Sequence, residues 1–119
     1  MCAGYRIKGM AEEGTCEHCG ANCPKRRVYV ETAGGDVQAW GVICASKVRG
    51  GKGKASEAEL VAKFARWADA LQRMLNDGAT FETVWRRSPF AIVRKGDAAH
   101  LYYPGSNVPD AVLSVPATA

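Results

Sequence analysis

The chain has 119 residues, of which 47% are hydrophobic, 24% charged and 8% aromatic, with a formal net charge of +4. That length suits one domain, or a small module with a helical remainder, and the composition excludes a disordered tail. No apolar run approaches the roughly 20 residues of a membrane span, and Met1–Met10 lacks the apolar stretch of a secretory signal.

The first 13 residues are short and mixed, with a strand expected around Tyr5–Lys8. Residues 16–24 hold a cysteine cluster. Arg27-Val28-Tyr29-Val30-Glu31-Thr32 is β-branched and aromatic and reads as a strand. Ala33-Gly34-Gly35-Asp36 reads as a hairpin turn, because paired glycines supply the positive φ that such a turn requires. Val37–Cys44 reads as the return strand, with alternating positions, which leaves cysteines at both ends of a β-hairpin.

Residues 47–55 read as a flexible basic linker. The domain boundaries expected from this are a metal module over 1–50, a basic linker over 51–55 and a helix-plus-hairpin region over 56–119. Ser56-x-x-Glu59 is a capping box. Leu60, Val61, Phe64, Trp67, Ala68, Leu71 and Leu75 share one helical face, and Gly78 is a natural stop, so one amphipathic helix is expected over 57–77. Phe81–Arg87 reads as a second, short helix with Thr80 as N-cap and Pro89 beyond its end. Phe90–Arg94 and Ala99–Tyr103 read as a second hairpin, turning at Lys95-Gly96-Asp97. The tail from Pro104 reads as an extended surface segment. The fold class expected is α+β.

The strongest chemical signal is Cys16-Glu17-His18-Cys19-Gly20. Two thiolates two residues apart can chelate one ion, and a following glycine lets the backbone turn beneath it. Five cysteines with no secretory signal point to thiolates in a reducing, cytoplasmic setting rather than to disulfides. A redox C-x-x-C belongs at a helix start in a βαβ setting, whereas this one precedes a hairpin. Cys16-x2-Cys19-x3-Cys23-Pro24 also matches the later part of a ferredoxin run, but Glu13 stands where its first cysteine would be. Zinc, bound tetrahedrally, is therefore the expected ion. Cys16, Cys19 and Cys44 are its expected ligands, Cys44 being returned to the first knuckle by the hairpin. Cys23 leads as the fourth, ahead of His100 and Cys2. His18 ranks last because it points away from the ion its neighbours bind.

The stretch from Cys16-Glu-His-Cys-Gly20 through Arg27-Val-Tyr-Val30 and a Gly-Asp turn to Gly41-Val-Ile-Cys-Ala45 resembles small zinc-ribbon proteins of bacteriophage and actinobacteria. The resemblance covers about residues 14–50 and implies a ribbon fold. It implies no particular function.

Positive charge concentrates beside this motif. Lys25, Arg26, Arg27, Lys47, Arg49, Lys52 and Lys54 face only Glu31 and Asp36 within residues 25–54, a local net of +5. That is the footprint of phosphate contacts, or of a solvated loop. Tyr29 and Trp40 offer faces for stacking on bases or for covering the ribbon core. Trp67 and Trp85 are expected to pack. Of Tyr102 and Tyr103, one should face inward. No nucleophile elbow, phosphate-binding glycine fingerprint or carboxylate pair marks an enzyme. Two functions remain: a non-enzymatic nucleic-acid-binding or accessory protein, and a protein-binding adaptor or inhibitor from a mobile element with zinc as scaffold.

Overall fold

The computed structural model describes residues 5–18, 20, 22–23, 27–32, 34–48, 55–106 and 109–116, with the backbone alone described for 22, 23, 48 and 55. The elements in chain order are β1 (Arg6–Ala11), β2 (Gly14–Thr15), β3 (Asn22–Cys23), β4 (Arg27–Glu31), β5 (Val37–Gly41), α1 (Val42–Val48), α2 (Ala55–Asn76), α3 (Phe81–Arg87), β6 (Ile92–Lys95), β7 (Ala98–Leu101) and β8 (Ala111–Ser114). The class is α+β. Two antiparallel three-stranded sheets, β1-β4-β5 and β6-β7-β8, are joined by α2, and β2-β3 is a miniature ribbon of its own.

Helix α2 packs along β1 and α1 and reaches β8 and α3. Its stripe of Val61, Phe64, Ala65, Ala68, Leu71 and Leu75 is almost completely buried. Burying a side chain such as Leu71 contributes roughly 1.5–3 kcal/mol. The Phe64 ring meets Phe90 and Tyr103 edge-on at 5.1 and 5.4 Å, which ties the helix to the C-terminal half. The helix stops as expected at Gly78, whose φ is +99°. Gly78 N–H donates to Leu75 at 3.2 Å and Ala79 N–H to Met74 at 2.9 Å, closing the last carbonyls. The helix opens at Ala55, one residue ahead of Ser56. The expected short helix is also present: Thr80 accepts from Thr83 N–H at 3.2 Å, and α3 ends at Ser88 before Pro89.

Four expectations are corrected. The return strand does not run to Cys44. It stops at Gly41, and Val42–Val48 is helical. Val42, Ala45 and Ser46 are buried while Ile43 and Lys47 are exposed, so burial changes from a period of two to the three-and-four steps of a helix packed on α2. Residues 47 and 48 therefore belong to α1 rather than to a linker. The C-terminal tail is not a surface segment. Ala111, Leu113 and Val115 are buried, and β8 pairs antiparallel with β7. Pro104, Pro109 and Pro116 stand outside the strand, where a missing N–H breaks no ladder. Trp85 does not pack but is 54% exposed, whereas Trp67 packs against the core as expected while remaining partly exposed. Tyr103 turns inward and Tyr102 does not, as expected.

The sheet edges are satisfied by side chains. Along β1, Ile7 N–H donates to Asp110 Oδ2 at 3.1 Å and Met10 N–H to Asp69 Oδ2 at 3.0 Å. On β8, Gln72 accepts from Ser114 N–H at 2.8 Å and donates to its carbonyl at 3.0 Å, so its amide stands in for a neighbouring strand. Asp69 approaches so closely that a Cβ on Gly9 would sit 2.5 Å from its Oδ1.

That approach predicts a coupled pair. Gly9→Ala pushes the carboxylate off Met10 N–H, and Asp69→Ala removes the carboxylate altogether. Each change is expected to cost about 1–3 kcal/mol in urea melts. The double variant should be clearly less destabilised than the sum of the two. Additive losses would show that Gly9 and Asp69 act separately.

Candidate metal centre and basic residues

The approach to the cysteine knuckle is held from one side chain. Arg27, on β4, donates from Nε to the Glu12 carbonyl at 2.6 Å, and from its terminal nitrogens to Thr15 at 3.1 Å and Glu13 at 3.3 Å. The guanidinium fork thereby gathers the turn between β1 and β2. Gly14 lies against it, and a Cβ there would come within 3.0 Å of the guanidinium. Strand β2 leads directly into Cys16, whose side chain is fully buried.

The knuckle turns back on itself. Gly20 N–H donates to the Cys16 carbonyl at 2.8 Å, and Gly20 has φ +79°, a conformation suited to glycine. The turn is fastened to β5 through Ala39: Glu17 N–H donates to the Ala39 carbonyl at 2.9 Å, and the Glu17 carboxylate accepts from Ala39 N–H. After the turn, β3 pairs with β2, setting Cys23 opposite Gly14 and Asn22 opposite Thr15. From Ala39 the chain runs through Trp40 and Gly41 into α1, where Cys44 is the third helical residue. Cys16 belongs to the buried core, and Cys44, half-buried, packs against it.

The backbone therefore brings β2, the knuckle, β3 and the end of β5 into one neighbourhood. Cys19 and Cys2 lie outside the described residues, as does the Cys23 side chain. Among the described residues, no three metal-ligating side chains converge. The donor chemistry nonetheless suits a soft, thiolate-bound ion: a buried thiol, a glycine turn beneath the knuckle and a second thiol in a helical first turn. His18 is turned toward Trp40, with ring centroids 4.5 Å apart, and Tyr5 lies 5.6 Å from the same indole. Trp40 is 3% exposed and donates from Nε1 to Gln38 at 2.9 Å, so it covers the core. His100 stands on the outer face of β7, in register with Val93 and Val112.

Of the seven basic residues, Lys25, Arg26, Arg49, Lys52 and Lys54 lie outside the described residues. Lys47 is exposed on α1, and Arg27 is engaged with the 12–15 turn. Tyr29 is 43% exposed on β4. The sequence reading missed the β2-β3 ribbon and the structural use of Arg27. The glycines at 9 and 14 were the available signal that side chains crowd this region. Comparison of the chain with models of protein families, with curated proteins and with solved structures finds no match. No helix among the described residues is long and apolar enough to cross a membrane.

Arg27→Ala is expected to lower stability by about 1–2 kcal/mol, because three carbonyls lose a charged donor. Arg27→Lys should restore less than half of that, since a single ammonium cannot reproduce the fork. Equal stability of all three proteins in urea melts would show that these contacts contribute nothing.

Proposed function

We propose that this chain is a small, non-enzymatic zinc protein of the ribbon kind that binds nucleic acid or assists nucleic-acid transactions, carried by a phage or a related element. Cys16, Cys19 and Cys44 hold the ion, with Cys23 as the fourth ligand. The observation that carries this reading is the fastening of the knuckle to Ala39, just ahead of the helix that bears Cys44. The position of Cys23 in β3, across from Gly14, supports the choice of fourth ligand. When bound, zinc supplies a cross-link whose binding energy is folding energy. Lys25, Arg26, Lys47, Arg49, Lys52 and Lys54 supply phosphate contacts, and Arg27 adds its charge while holding the turn.

A second reading is a protein-binding adaptor or inhibitor with zinc as scaffold. Exposed Val93 and Val112, which flank His100 on the outer face of the C-terminal sheet, favour it.

Purified protein should carry about one zinc per chain, and Cys44→Ser should lose it. Elemental analysis showing less than half an equivalent, or iron with sulfide, would overturn the metal assignment. For the partner, Lys47, Arg49, Lys52 and Lys54 are changed together to alanine, and labelled DNA and RNA are titrated at several salt concentrations. Each lost phosphate contact should reduce the slope of log affinity against log salt by about 0.9 on duplex DNA. Wild-type protein that binds no nucleic acid even at low salt would transfer support to the protein-partner reading.

A further inference from the structure

Beside β1, the outer side of α2 forms a groove of about 560 Å³ lined by Met10, Lys63, Arg66, Trp67, Asp69, Ala70 and Arg73. Three cations line it against one carboxylate. Lys63, Arg66 and Arg73 are exposed, and none has an ion-pair or hydrogen-bond partner among the described residues. The lining carboxylate, Asp69, is turned to Met10 N–H. Trp67 is half-buried, packed against the core on one side and lining the groove on the other.

The spacing suits a strand rather than a compact anion. Positions 63, 66, 67, 70 and 73 recur at three- and four-residue steps and so share one helix face. Lys63 to Arg73 spans about 15 Å at about 1.5 Å per residue. That is about four nucleotides of a stacked strand at about 3.4 Å each. An extended peptide would gain its affinity by pairing with the edge of β1, but Ile7 and Met10 N–H are already held by Asp110 and Asp69. A nucleic-acid strand needs no such edge. It needs cations along its phosphates and a flat ring for a base.

We propose that this groove is a binding site for single-stranded nucleic acid, with Lys63, Arg66 and Arg73 on phosphates and Trp67 stacked on a base. The site deepens the nucleic-acid reading above and rests on it, yet none of its lining residues falls within residues 25–54. Fluorescent oligothymidylate and a duplex of equal length are titrated against wild type, Lys63→Ala/Arg66→Ala/Arg73→Ala, Trp67→Ala and the 47/49/52/54 variant, with circular dichroism as the folding control. The groove triple variant carries only exposed changes and should stay folded. It should bind the single strand at least tenfold more weakly, with the salt slope reduced by about 2. Trp67→Ala should lose about tenfold with the slope unchanged. Should Trp67→Ala fail to fold, Trp67→Phe serves instead, and part of the fluorescence quenching by the oligonucleotide should disappear.

No binding by wild type would remove the nucleic-acid reading and this site together. Wild-type binding that the triple variant retains at full strength would overturn the groove alone. So would binding confined to the duplex, or equal competition by polyglutamate of matched charge, which would mark a site for acidic protein instead.

Discussion

The outer margin of β1 is the constraint on which the arrangement depends. A marginal strand presents backbone donors that no sheet partner answers. Asp69 and Asp110 answer two of them, one from the middle of α2 and the other from the turn into β8. Asp110 is fully buried, so this contact forms inside the core. The two carboxylates fix where α2 and the C-terminal sheet stand against the N-terminal one. Gln72 does the corresponding work for β8. Polar side chains of the long helix thus finish the backbone pairing of both sheets, while its apolar stripe fills the space between them.

This arrangement reaches the cysteine knuckle through a short chain of contacts. β1 continues into the turn that Arg27 gathers, the turn leads into β2, and β2 delivers Cys16 to the core. Glu17 and Ala39 then bind the knuckle to β5, whose end feeds α1. Cys16, at the head of the turn, is consequently packed into the core formed by the described residues, while Glu17, His18 and Gly20 stay exposed. Loss of order at the knuckle would be felt at α1 and, through it, at α2.

Where local pattern and tertiary packing agree, the elements were legible. The α2 stripe, the Gly78 stop, the Thr80 cap and the strand from Arg27 follow from residue spacing and side-chain chemistry. Two elements were not. Val42 and Ile43 are β-branched and continue the alternation of β5, but packing against α2 outweighs that local preference and the helix begins there. The alternation Ala111-Val112-Leu113-Ser114-Val115 was present, yet the nearby prolines disguised a strand whose ladder they never enter. The candidate ligands were legible as a spacing. The β2-β3 ribbon, which sets the backbone of Cys23 opposite Gly14, was too short to announce itself. The groove on α2 was hidden for another reason: Trp67 fits the apolar stripe, and only the packing shows that part of it remains uncovered.

The closeness of Gly9 and Asp69 also bears on how such a sequence can drift. Any side chain at position 9 needs the carboxylate moved away, and loss of the carboxylate strands a backbone donor. A lineage that replaces both must pass through a weakened intermediate, whichever change comes first. With only about 5–15 kcal/mol separating a folded domain from its unfolded chain, that passage is open but narrow. The two positions are therefore bound to a common history, although 60 positions separate them along the chain.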